Sequence, residues 1–159
     1  MRDCFINDAD GWFRLRAASI IINQGQVLMA HNEREPYYYS VGGAVGQNES
    51  TEEAVLREVY EETGFHYEIE RLAFILENFF IMPVGGEPKK CHEIAFYYLM
   101  KPRESMDIHC ESHGMHGEKE EMVWLRLDEL ADKHLYPTFF KEYLKAIPAG
   151  ITHLIEREY

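Results

Sequence analysis

The chain has 159 residues, of which 46% are apolar, 13% aromatic and 28% charged; this balance supports one sizeable core and excludes wholesale disorder. Its 16 basic and 28 acidic side chains leave a formal net charge of -12, which speaks against a nucleic-acid partner, because affinity for a phosphate backbone comes largely from Lys and Arg. An anionic substrate would need a bound cation to reconcile it with so acidic a chain.

No apolar run reaches the roughly 20 residues of a spanning helix, so no membrane partner is expected. The start, Met1-Arg2-Asp3-Cys4-Phe5-Ile6-Asn7-Asp8, is acidic and broken and shows no signal peptide. Cys4, Cys91 and Cys110 are odd in number and far apart, which fits no disulfide framework and points to a reducing, cytoplasmic setting. With no repeat, low-complexity stretch or linker, a single domain over residues 1–159 is expected.

In chain order, the Ile-rich residues 14–23 read as a strand, 23–26 as a turn and 27–31 as the returning strand. Residues 37–41 form an aromatic, β-prone run that stops at Gly42-Gly43. A helix follows. Ser50 with Glu53 makes a capping box at its start and Gly64 supplies the stop. Residues 67–82 and 91–100 read as a long hairpin joined through 83–88, and the polar, His-rich residues 101–119 as a long loop. Residues 122–127 make a further strand. Asp128 and Pro137 each resemble a helix start, with Phe139, Phe140, Tyr143 and Leu144 on one face of the second helix. The order β-β-β-α-β-β-β-α-α does not alternate regularly, so a mixed sheet flanked by helices is favoured over a doubly wound parallel sheet.

The segment with chemical content is GAVGQNESTEEAVLREVYEETGF, residues 43–65. On a helix advancing about 100° per residue, Glu58, Glu61 and Glu62 share a sector of roughly 100°, and Ala54 leaves room beside them. Val55, Val59, Leu56 and Tyr60 are expected to bury the helix against the sheet. A Glu-rich helix is usually a solvated face. Here, however, three carboxylates at i, i+3 and i+4 repel one another unless neutralised, and hard oxygen ligands suit Mg2+ or Mn2+. Arg57 can lock a carboxylate such as Glu49 or Glu53 through two nitrogens. Gly42 and Gly43 would let backbone amides approach a phosphate.

The segment resembles the Nudix box, G-x5-E-x7-R-E-U-x-E-E-x-G-U with U bulky and apolar: Gly43, Glu49, Arg57, Glu58, Val59, Glu61, Glu62, Gly64 and Phe65 all fall in place. The resemblance implies a Nudix-type α/β/α sandwich, an α/β (α+β) fold with a mixed β-sheet and a catalytic box helix. It also implies metal-dependent hydrolysis of a pyrophosphate linkage in a nucleoside diphosphate derivative. By position, Glu58, Glu61 and Glu62 would hold the divalent cations with Gly43 alongside, and Arg57 would orient the Glu cluster. Gly43 would shape the loop, and Glu49 would support the helix start or a second metal. The general base is a box glutamate or one of Glu118, Glu120 and Glu121, with Glu120 carried forward as the catalytic candidate. Val41 stands where many members have Pro, Gly46 where an acid is common and Asn48 where Gly is common. These departures touch the loop that positions the substrate, so they bear on its identity more than on activity.

Gly42, Gly43 and Tyr39 are the candidate substrate-binding residues. Tyr37, Tyr38 and Tyr39 could stack on a base or ribose, or simply pack in a strand. Phe79 and Phe80 read as hairpin packing. The run His109-Cys110-Glu111-Ser112-His113-Gly114-Met115-His116 holds soft-metal ligands, but its composition favours a mobile loop over a zinc site. The expected partner is a small-molecule nucleotide, either a nucleoside triphosphate or a nucleotide sugar such as ADP-ribose. The long hairpin could supply a homodimer surface. Two other readings are a nucleotide sensor of the same family that binds without cleaving and an unrelated acidic interaction module.

Overall fold

The computed structural model describes residues 1–111, 113 and 117–159. Two sheets carry the architecture. The first contains β1 (Phe5–Asn7), β2 (Trp12–Ile20), β6 (Gly42–Ala44), β7 (Ile69–Val84), β8 (Glu87–Met100) and β11 (Thr152–Arg157). The second contains β3 (Ile22–Asn23), β4 (Gln26–Asn32), β5 (Tyr38–Ser40), β9 (Glu120–Arg126) and β10 (Leu135–Tyr136). Both are mixed. In the first, β2 pairs β8 and β11 pairs β7 in parallel, while β7 and β8 form the expected antiparallel hairpin. In the second, β10 pairs β5 in parallel and β4 lies antiparallel to its neighbours β3, β5 and β9.

Alternation along the strands sends side chains to two cores. Ala18 and Ile20 of β2, Val27 and Met29 of β4, and Ala95 and Tyr97 of β8 enter one, together with Phe139, Phe140 and Leu144. Ala17 and Ile21, Leu28 and Tyr98 enter the other, together with Ala54, Val55 and Val59 of α1 (Thr51–Thr63). The inner part of the first sheet, where β2 meets β8, is therefore covered on both faces, which is why residues 17–20 and 94–100 read as near-continuous apolar runs.

Several sequence expectations shift. The strand expected over 14–23 starts at Trp12 and passes from the first sheet to the second at Ile21. The hairpin continues to a two-residue turn, Gly85-Gly86, instead of ending at a six-residue connection. Asp128 starts no α-helix: its carboxylate is held by Arg126 (2.7 and 3.0 Å) instead of capping, and Leu127–Asp132 is a 3-10 turn. The helix expected after Pro137 is a single turn, α2 (Phe140–Tyr143), although its apolar face is buried as anticipated. β1 and β11 were not foreseen, because edge strands with exposed or alternating side chains carry little apolar signal.

Candidate active site

The site is built on α1. The Glu53 amide donates to Ser50 Oγ (3.1 Å) and the Ser50 amide to Glu53 Oε2 (2.8 Å), the reciprocal capping box expected from the sequence. Gly64 closes the helix at φ 78°. The buried residues are Ala54, Val55, Val59, Glu62 and Thr63. Leu56 and Tyr60 do not join them and are 39% and 47% exposed. The helix packs against the small side chains of β2 and β6, so its buried stripe is narrow; Tyr60 stacks on His66 instead, at 4.3 Å.

Arg57 chooses Glu49 over Glu53. Its Nε and Nη2 donate to the two Glu49 oxygens at 2.8 and 2.9 Å, and Nη2 also reaches the Ala44 carbonyl at 3.2 Å. The Gly46 amide donates to Glu49 as well (2.8 Å). Hydrogen bonding from Arg57 holds the Glu49 carboxyl below its ordinary range. The remaining nitrogen, Nη1, donates to Glu58 Oε1 at 2.6 Å and lies 3.5 Å from Glu61 Oε2. One guanidinium thus ties the loop before the helix to two of the box carboxylates.

The glutamates differ in burial. The Glu61 side chain is 54% exposed, that of Glu58 16%. Burial pushes the Glu58 carboxyl up despite the opposing Arg57 pair. Glu62 is only 7% exposed, and its Oε2 has no hydrogen-bond partner among the described residues. Its carboxyl lies well above the ordinary range, raised chiefly by burial and then by Glu120 and Glu58, against the opposing influence of Arg16 and the Gly42 amide.

Gly43 pairs with Ala17 across β2 and β6, and a Cβ on it would lie 2.5 Å from the Glu58 carboxyl carbon. A Cβ on Gly42, at φ 150°, would collide with the Ala17 carbonyl and with Ala18. The paired glycines therefore let β6 and the helix meet with the Glu58 carboxylate against bare backbone.

Glu120 opens β9 opposite Asn32 of β4. On the face it shares with Asn32, its charge acts on Tyr39 and Glu62 and helps to raise the pKa of both. Glu121 alternates to the other face, is exposed and pairs with His31; Glu118 precedes the strand. Of the three downstream candidates, Glu120 is the one beside the box. Tyr39 OH also accepts from Asn32 Nδ2 at 3.2 Å. Tyr38 packs against the first core, and Tyr37 lies edge-on to Tyr136 at 5.1 Å.

Arg16, Asn32 and Glu93 belong to this neighbourhood and were not singled out from the sequence. Arg16 Nη2 donates to the Ser40 carbonyl at 2.8 Å. Burial opposes its charge, but Glu93, Tyr97, Glu62 and Glu58 together raise its pKa. The buried Glu93 accepts from Arg14 Nε at 2.8 Å. The available signal was charge at Arg14, Arg16 and Glu93 inside strands that are otherwise apolar.

Glu58, Glu61 and Glu62 are the groups that could hold a divalent cation, since both oxygens of Glu49 are taken. Among the described residues no three His, Cys, Asp or Glu side chains already close on one point; Arg57 supplies the counter-charge to Glu58 and Glu61. The donor set nevertheless fits a hard cation. It offers an unpartnered buried oxygen on Glu62, a Glu58 carboxylate kept uncrowded by Gly43, and two carboxyls whose charge the fold alone does not compensate. In the His-rich run, Ser112, Gly114, Met115 and His116 lie outside the described residues. His109 packs edge-on to Phe65 at 5.4 Å and the Cys110 thiol donates to the Glu120 carbonyl at 3.3 Å.

Comparison with known proteins gives a consistent result. The family model of the NUDIX domain matches residues 13–147. No curated protein matches the chain in sequence. Among solved structures, a MutT NUDIX hydrolase from Burkholderia pseudomallei is 27% identical with a TM-score of 0.56, over 73% of this chain and 84% of that one. A MutT protein from Bacillus halodurans is 21% identical with a TM-score of 0.60, over 88% and 89%. An ADP-ribose pyrophosphatase from Streptococcus suis is 15% identical with a TM-score of 0.55, over 89% and 98%; the last two bear on the fold alone. With a family match over most of its length and the box glutamates, Arg57 and Gly43 assembled around one helix, the chain belongs to the Nudix family and is one of its hydrolases.

Proposed function

We propose that this hydrolase cleaves a pyrophosphate linkage in a small nucleoside diphosphate derivative, with Mg2+ or Mn2+ held by Glu58, Glu61 and Glu62 beside Gly43. Nudix hydrolases generally use divalent metal ions. A bound ion supplies Lewis acidity, polarising phosphoryl oxygens and lowering the pKa of water. The observation that carries the reading is the buried, under-compensated Glu58–Glu62 pair against a glycine backbone. Arg57 fixes the rotamers of Glu49 and Glu58 through its planar fork. Glu120 accepts the proton of the attacking water at its carboxylate, as its place beside Glu62 supports. The Gly42 and Gly43 backbone receives the phosphates, and Tyr39 lines the same face.

The two substrate classes are a nucleoside triphosphate and a nucleotide sugar such as ADP-ribose. A panel of both with Mg2+ distinguishes them. Pyrophosphate release identifies the first; AMP plus a sugar phosphate identifies the second. Failure to turn over any member while still binding one would favour a sensor, a role that does not require three box carboxylates.

We take residues 1–159 as one Nudix domain because β1 and β11 both pair into the sheet that carries β6. Among the described residues Cys4, Cys91 and Cys110 form no disulfide, which fits a cytoplasmic setting. No helix among the described residues is long and apolar enough to cross a membrane. A homodimer over the β7–β8 hairpin, whose outer part exposes Ile81 and Val84, completes the proposal; gel filtration with light scattering tests it.

A further inference from the structure

We propose that Asn32 and Tyr39 are positioning residues for Glu120: Asn32 donates to the Tyr39 oxygen, which commits the Tyr39 O–H to the Glu120 carboxylate and fixes the oxygen that takes the proton. The inference rests on the reading of Glu120 as the base. Asn32 is 5% exposed, and both ends of its amide are used. Oδ1 accepts from the Arg34 and Glu35 amides at 3.0 Å each, which fixes which end is the oxygen. Nδ2 must then be the donor to Tyr39 OH, at 3.2 Å. A hydroxyl has one proton to give. With Asn32 already donating to its oxygen, the Tyr39 proton is available to Glu120, which pairs with Asn32 across β4 and β9 and so starts from the same face. Burial raises the Tyr39 hydroxyl above the ordinary tyrosine range, which favours its protonated, donating form. Tyr39 is thereby given a task other than stacking on a base: its hydroxyl is already engaged at the site.

The test is a double-mutant cycle with Tyr39→Phe and Glu120→Gln, read as kcat and KM on the best substrate of the panel, with unfolding curves for every variant. Tyr39→Phe should lower kcat about tenfold or more, as loss of a hydrogen bond to a charged group does, and leave KM unchanged. In the Glu120→Gln background the same change should have no further effect. Asn32→Asp keeps the oxygen that the loop amides need but turns the donor into an acceptor, so it too should lower kcat, and again only when Glu120 is present. Multiplying losses, or a Tyr39→Phe effect confined to KM, overturn the positioning role while leaving Glu120 as the base. Normal turnover in Glu120→Gln overturns the base assignment and this inference with it.

Discussion

At the scale of single residues, the site stores unfavourable charge. The Glu62 carboxyl is raised above its ordinary value of 4.5, so the folded state holds that proton more tightly than the unfolded chain. That contribution is fully present below the unfolded pKa and is lost as pH rises through the folded pKa. Metal-free parent protein should therefore weaken as the pH rises above 4.5. Glu62→Gln should be more stable than the parent by about 1–3 kcal/mol near neutrality, with the gap closing towards about pH 4. Urea unfolding in chelator across a pH series checks this; a variant less stable than the parent near neutrality contradicts it. Arg57→Lys replaces the fork that spans Glu49 and Glu58 with a point charge. It should fold, lose about 1–3 kcal/mol and lose at least about tenfold in kcat. Gly43→Ala should displace the Glu58 carboxylate and lower kcat more than it lowers the melting temperature; a fully active variant would mean that Glu58 can move without consequence.

At the scale of elements, α1 was legible because its information is local. Ser50, Glu53 and Gly64 act within one turn of themselves, and the structure uses all three as expected. Ser50→Ala should cost about 1 kcal/mol of stability, measured by denaturant, with kcat unchanged well below the melting range. The hairpin was legible for the same reason. What the sequence did not expose is set by distant partners. Arg16 reads as one charge in a strand until Glu62, Glu58 and Glu93 are folded around it. Asp128 looked like a cap because Arg126 could not be seen to claim it. Leu56 and Tyr60 looked like core because helical spacing does not say how closely a glycine-flanked strand will approach.

For the whole molecule, the proposed function would bring an acidic chain and an anionic substrate together at carboxylates that the fold leaves under-compensated. Titrating Mg2+ into metal-free protein should raise the melting temperature, because a ligand specific to the folded state stabilises it. At 100 times the dissociation constant the gain is about 2.7 kcal/mol. Glu58→Gln combined with Glu62→Gln should abolish the rise. An unchanged melting curve in the parent, with no binding heat, would remove the cation from the proposed site.

The two tryptophans stand in different surroundings, and that gives the protein an optical handle. Trp12 lies among Phe5, Phe80 and Arg14 on the first sheet. Trp124 sits on β9, the strand that begins at Glu120, donates its indole N–H to the Met106 carbonyl at 3.0 Å and packs against the core that contains Ala54, Val55 and Val59 of the box helix. In a Trp12→Phe background, emission from a single indole would report on the seam between helix and loop. Metal or nucleotide binding could then be timed by stopped-flow, without turnover and without an attached dye.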